Sequence, residues 1–227
     1  MESRRLVQPN DWILFFAVLA GCFGGFVTTS IMMLGGGQAA SPADPASQAF
    51  FSQISLLGLA ATELFTGMLA IVALVACGWR AEDLPFRIGW RETLIGVGLA
   101  AAVLVQDILL DSGGTQLSEA AASEFRLPLL AVILVSVVNP VFEETFVVGF
   151  IVRFLEWRGV ANWAWLAFAA SVAIRVSYHL YQGLGEVPDH VFMGMLFAGL
   201  FLWIRNLWPL VLAHGLLNAL GFLPYLV

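Results

Sequence analysis

Seven apolar segments follow one another along the sequence, separated by short polar linkers. They cover residues 12–34, 51–77, 93–111, 127–152, 161–180, 188–204 and 208–226. A helix that crosses a bilayer needs roughly 17 to 25 mostly apolar residues. Inside lipid, only helices and closed barrels satisfy every backbone hydrogen bond. The pattern therefore predicts an all-α, polytopic transmembrane bundle of about seven spans.

The composition excludes an ordinary soluble domain. Hydrophobic residues make up 60% of the 227 residues and charged residues only 11%, whereas soluble domains carry about 25% charged residues. Every basic residue is an arginine, and no basic patch indicates a nucleic-acid partner. The expected partner is the lipid bilayer. The absence of lysine beside abundant alanine and glycine indicates a GC-rich genome, so we expect a multi-pass protein of a bacterial cell membrane.

The arginines are concentrated on one side of the predicted bundle. If the segments alternate in direction, the side of the N-terminus receives Arg4, Arg5, Arg80, Arg87, Arg91, Arg153, Arg158 and Arg205. The opposite side receives only Arg126. Cytoplasmic loops are enriched in arginine and lysine. The distribution therefore predicts a cytoplasmic N-terminus.

Two adjacent carboxylates, Glu143 and Glu144, lie within the fourth apolar segment, just after Pro140. A charged side chain at the centre of a bilayer costs at least ~2.5 to 3.5 kcal/mol, so such residues face the bundle interior and usually serve a function. Neighbours on a helix point in different directions, so the two carboxylates are expected to have different partners. A buried carboxylate is suited to act as a general base on water. A proton relay and a structural polar network remain alternatives.

Two later pairs of polar residues are each spaced to share one helix face. The fifth segment carries Arg175 and His179, and the seventh carries His214 and Asn218. An arginine within a span needs a carboxylate partner, and the two glutamates are the candidates. Imidazole and carboxamide groups can bind a metal or stabilise a developing oxyanion.

The order of these residues resembles the CPBP intramembrane proteases. This family includes the type 2 CAAX prenyl proteases, bacteriocin-processing proteins and abortive-infection proteins. Its pattern is an EExxxR motif, then FxxxH, then HxxxN, and the resemblance covers roughly 127–222. The sequence departs from the pattern twice: Val148 stands where the first arginine is expected, and Arg175 where the phenylalanine is expected. We predict that Arg175 supplies the missing positive charge beside the glutamates.

The resemblance implies an intramembrane endopeptidase that hydrolyses a peptide bond of a membrane-associated protein or peptide. It implies that Glu143 activates water with support from Glu144, and that His179 shares that water. His214 and Asn218 would stabilise the tetrahedral oxyanion. Two chemistries stay open: zinc or another divalent metal held by Glu143, His179 and His214, or a metal-free glutamate mechanism.

The same resemblance divides the chain into residues 1–126, which hold the first three spans and their loops, and a catalytic core at 127–227, within one membrane domain. Glu63 lies in the second segment without a motif, and a structural or gating role is expected for it. Two other functions remain open. One is a proton-coupled transporter, and the other is a catalytically silent scaffold related to the proteases.

Overall fold

A computed structural model describes residues 10–35, 53–110, 127–223 and 226. The main helices are α1 (Asn10–Gly35), α2 (Gln53–Ala76), α3 (Trp90–Leu110), α4 (Leu129–Glu143), α5 (Ile151–Arg158), α6 (Trp163–His179), α7 (Val187–Ile204) and α8 (Trp208–Phe222). Short 3-10 turns lie at Ala81–Asp83, Leu180–Gln182 and Leu184–Glu186. Within the described ranges, the one extended pairing is an isolated bridge between Leu127 and Leu226. The predicted all-α fold is confirmed.

Within the part of the chain that the structure describes, five helical stretches are long and apolar enough to cross a membrane. They are Trp12–Gly35, Ser55–Ala76, Trp90–Leu109, Leu129–Arg158 and Leu184–Ile204. Helix α8 is apolar but shorter, and α6, which carries the charged Arg175, is not among the five. The apolar helices are those of a multi-pass membrane protein. Seven spans were predicted from the sequence, and five of them meet the requirement for length and apolarity.

The fourth predicted segment forms a longer helix than the sequence indicated. We expected it to end near residue 152. Instead, a π-helical turn at Glu144–Phe150 joins α4 to α5, which continues to Arg158. The polar last turn is stabilised by an ion pair of Arg153 with Glu156 at 2.6 Å. The helix ends where Gly159 adopts the left-handed conformation with φ of 63°.

This long α4–α5 helix lies at the centre of the bundle. In its most apolar stretch 67% of the residues are buried, against 22% to 28% in the other four candidate spans. Helices α2 and α8 pack against α4, α8 also packs against α3, and α6 packs against both α1 and α7. Residues on the central helix can therefore meet side chains from most of the other helices.

Several arginines meet at one end of the bundle, which we call the arginine-rich end and define by Arg87, Arg153, Arg158 and Arg205. The side chain of Arg205 lies 3.0 Å from Glu156 at the end of α5. Other contacts at this end are Arg158 over the Trp12 ring, Arg205 over Trp163, and the backbone of Arg87 against Asn206. The starts of α1, α6 and α8 therefore lie beside the ends of α5 and α7, as expected for helices that alternate in direction.

Candidate active site

The local structure of the central helix separates the two glutamates. Pro140 lies inside α4 and lacks an N–H donor, so the helix cannot form its usual hydrogen bond to the Ser136 carbonyl. The π-helical turn begins four residues later, at Glu144. Single π-helical turns inside α-helices are frequent at functional sites. Glu143 and Glu144 consequently have different sets of partners, as predicted.

Glu144 is fully buried behind the cavity wall. Both of its carboxylate oxygens lie 2.7 Å from Nη2 of Arg175 on α6. Oε1 also lies 2.7 Å from Nδ1 of His214 on α8. A buried carboxylate is stable only when it is paired and hydrogen-bonded. Glu144 thus ties three helices together and orients the His214 ring.

Glu143 faces the cavity. Its Oε2 accepts a hydrogen bond from the Tyr178 hydroxyl at 2.5 Å and lies 3.4 Å from Nη1 of Arg175. Its Oε1 accepts a hydrogen bond from Nδ2 of Asn139 at 2.8 Å. Each of these donors stabilises the negatively charged carboxylate. The carboxylate is held in place from two helices and keeps acceptor capacity for a further donor.

The predicted compensation by Arg175 is present. The Arg175 guanidinium contacts both glutamates, and its central carbon lies 5.3 Å from the centre of the Phe197 ring. Val148, at the position where the resemblance places an arginine, is buried in the apolar core. The positive charge therefore enters the site from α6 instead of from the helix that carries the glutamates.

His179 also faces the cavity. Its Nδ1 lies 2.9 Å from the carbonyl oxygen of Arg175, which can only accept a hydrogen bond. Nδ1 therefore carries a hydrogen, and in the neutral ring Nε2 keeps the lone pair. The His179 ring stacks on His190 with 4.0 Å between ring centres, and His190 is in turn hydrogen-bonded to Gln182. Neither His190 nor Gln182 was predicted from the sequence to belong to the site.

A chain of amide groups links α8 to α4 and α2. Asn218 donates from Nδ2 to Oδ1 of Asn139 at 3.0 Å. Asn139 donates from its own Nδ2 to Glu143 at 2.8 Å and to Oε1 of Glu63 at 2.7 Å. The sequence analysis gave no role to Asn139 or Tyr178. The one signal for Asn139 was its position four residues before Glu143, on the same helix face.

The four residues for which we predicted direct contact with water or the oxyanion line one cavity. It has a volume of about 390 Å³, and Glu143, His179, His214 and Asn218 lie in its wall. Apolar side chains of α1 and α2 complete it, among them Phe26 and Leu59. Glu144 and Arg175 lie behind this wall. A concave site in which apolar side chains and convergent polar groups meet is typical of a binding or active site.

Among the described residues, the group spaced to hold a metal ion is Glu143, Glu144 and His214, whose ligand atoms lie within 4.8 Å of one another. This differs from the predicted set in one member, because the spacing of the ligand atoms places Glu144 in the group where His179 was predicted. The donor set suits zinc by atom type. However, the Arg175 guanidinium already contacts both carboxylates, and a divalent cation there would be repelled by it.

A family model described as "Type II CAAX prenyl endopeptidase Rce1-like" matches residues 125–220. This part of the chain is similar to that family, and we call residues 125–220 the Rce1-like segment. The family resemblance predicted from the motifs is thereby confirmed. No curated protein and no solved structure matches the chain. The Rce1-like segment contains α4 to α7 and most of α8, whereas α1, α2 and α3 lie outside it.

Proposed function

We propose that the chain is an intramembrane endopeptidase in which Glu143 activates a water molecule. The observation that carries this proposal is the environment of Glu143, a carboxylate in the cavity wall held by Asn139, Tyr178 and Arg175. A fixed carboxylate beside a space for substrate is what a general base requires.

The neighbouring residues have complementary roles in this mechanism. Water bound between Glu143 and Nε2 of His179 attacks the peptide carbonyl carbon, and Glu143 takes the proton that the water loses. Asn218 uses one amide hydrogen on Asn139 and offers the second to the oxyanion. His214, oriented by Glu144, offers Nε2–H to the same oxyanion when its ring is protonated.

We propose that this mechanism works without a metal ion. The support is the position of Arg175, which provides the positive charge beside the carboxylates that a metal would otherwise provide. If a metal were bound by Glu143, Glu144 and His214, it would supply a Lewis acid for the peptide carbonyl. Activity that is unchanged by prolonged chelation is expected, whereas loss upon chelation and recovery with zinc would contradict this part of the proposal.

The substrate class follows from the family description and the membrane. We propose a peptide bond of a membrane-associated protein or peptide, with prenylated C-terminal segments as one class to test. We also propose that the protein resides in a bacterial cell membrane with its N-terminus in the cytoplasm. The arginine distribution supports this orientation.

The test uses the purified protein in lipid nanodiscs and a panel of internally quenched peptides, with and without a farnesylated cysteine. The wild type is compared with Glu143→Gln and with Glu82→Gln, an exposed glutamate far from the cavity. We expect cleavage by the wild type and the control, and a loss of about 10²- to 10⁴-fold in Glu143→Gln. Cleavage that survives Glu143→Gln would remove Glu143 from the mechanism. Absence of cleavage by the wild type across the panel would favour the silent scaffold.

A further inference from the structure

Glu63 on α2 is a second carboxylate in the wall of the same cavity, and it lies outside the Rce1-like segment. It is 2% exposed. Its Oε1 accepts the hydrogen bond from Asn139 at 2.7 Å. Within the described part of the chain, its Oε2 has no hydrogen-bond partner. A buried polar atom that faces a cavity without a partner is available to a substrate.

The two carboxylates share one donor but differ in charge environment. Nδ2 of Asn139 lies between Glu63 and Glu143, at 2.7 Å and 2.8 Å. Glu143 also has the Tyr178 hydroxyl and the Arg175 guanidinium, whereas among the described residues the hydrogen-bond partner of Glu63 is the neutral amide of Asn139. A buried carboxyl group without a counter-charge, close to another carboxylate, is more stable with a proton.

This difference divides the acid and base roles. When two nearby carboxyl groups have environments that favour opposite protonation states, the ionised one acts as the base and the protonated one as the acid. Building on the proposed function, we propose that Glu63 is the general acid that protonates the departing amine. In this role Glu63 is a catalytic residue that α2 contributes from outside the Rce1-like segment.

The proton transfers balance as follows. Glu143 receives a proton from the attacking water, and the remaining hydroxide forms the new bond to the carbonyl carbon. The carbon–nitrogen bond then breaks, and the nitrogen receives the proton from Oε2 of Glu63. This leaves Glu143 protonated and Glu63 ionised. Exchange with water in the cavity after product release returns both groups to their starting states.

The experiment compares two leaving groups. The first substrate is whichever peptide of the panel the wild type cleaves, and the second is the 4-nitrophenyl ester of its acyl portion, whose leaving phenolate needs no proton. In Glu63→Gln we expect kcat for the peptide to fall about 10²- to 10³-fold, with KM within threefold. We expect kcat for the ester to fall less than tenfold. Glu143→Gln should lose both activities.

The outcomes separate this inference from the proposed function. Equal losses on the two substrates would mean that Glu63 is structural, and wild-type rates on both would mean that it has no part in the reaction. In either case the endopeptidase function would stand. Thermal unfolding of Glu63→Gln, compared with the Glu82→Gln control, verifies that the protein is folded. Glu63→Asp, which keeps the acid, should recover peptide cleavage at least tenfold over Glu63→Gln if Glu63 is the acid.

Discussion

Arg175 brings a positive charge to the adjacent glutamates from a neighbouring helix. It is fully buried, and its guanidinium lies against Glu144 and Glu143. Removing one partner of a buried ion pair costs about 3 to 5 kcal/mol, because the other charge is left buried and unpaired. The residue therefore matters for folding as well as for holding the carboxylates.

Relocating this charge provides a direct test. We expect Arg175→Phe to lose activity and to lower the melting temperature, because Glu144 loses its counter-charge. Val148→Arg alone should also destabilise the protein, because it adds a second cation to a packed core. The double variant, Val148→Arg with Arg175→Phe, restores one cation and should be more stable and more active than either single variant.

Melting temperatures and peptide cleavage of the four proteins form a double-mutant cycle. Additive losses in the double variant would show that position 148 cannot supply the charge.

The site residues that stand out by their charge or by a family motif could be predicted from the sequence, whereas Asn139 and Tyr178 could not. Glu143, Glu144 and Arg175 are conspicuous because charge within an apolar segment is costly, and the family motifs identified His179, His214 and Asn218. Asn139 and Tyr178 cost less to bury, and their importance depends on what lies opposite them in space. The contact of Asn139 with Glu63 joins residues of different helices, which helical spacing alone does not predict.

At the scale of helices, a close approach between α8 and α4 brings His214 and Asn218 to the glutamates. A Cβ atom at Gly215 would lie 2.7 Å from the Ser136 carbonyl oxygen. That carbonyl is the one that lacks its helical donor because residue 140 is proline. Small residues allow membrane helices to approach closely. Gly215 and Pro140 together therefore set the distance between the two helices.

Gly215→Ala should push α8 away from α4. We expect it to lengthen the contacts of His214 with Glu144 and of Asn218 with Asn139, and to reduce kcat at least tenfold. Gly221→Ala on the same helix is the matched control, because an added Cβ there meets nothing within 4 Å. Cleavage assays and melting temperatures of both variants measure the effect. Equal behaviour of the two variants would show that the close approach is not required.

The positions of the helices could be predicted from the lengths of the apolar segments alone. The residue at which the central helix ends could not. The apolar segment ends near residue 152, yet the helix continues to Arg158 because ion pairs at its end stabilise the polar turn. The π-helical turn at Glu144–Phe150 was also not predicted. It depends on a backbone hydrogen-bond register that hydrophobic spacing does not encode.

At the scale of the whole molecule, the cavity and the arginine-rich end lie at different depths. Helix α6 begins at the arginine-rich end, where Trp163 contacts Arg205, and it reaches the cavity at its other end, with His179. The cavity wall continues to Gln182 beyond that helix end. With a cytoplasmic N-terminus, the cavity would lie nearer to the outer face of the membrane.

Cysteine labelling tests this orientation. Cys77 is exposed where α2 ends, on the arginine-rich side, and Gly185 lies in the opposite linker with room for a side chain. We compare two proteins. The first is Cys22→Ala, which retains Cys77. The second carries Gly185→Cys and has both native cysteines replaced by alanine. A membrane-impermeant maleimide should label Gly185→Cys in intact cells and Cys77 only after permeabilisation. The reverse pattern would contradict the proposed orientation.

The division of the site among distant helices has a consequence for biosynthesis. Glu63 lies on α2, Glu143 on α4, and His214 and Asn218 on α8. Membrane helices enter the bilayer in the order in which the ribosome makes them. A nascent chain that has inserted α2 and α4 therefore holds the proposed acid and base without the groups that would stabilise the oxyanion. On the proposed mechanism, hydrolysis reaches its full rate only after α8 has entered the bilayer, so a chain that is still being synthesised cleaves its neighbours in the membrane much more slowly than the finished protein.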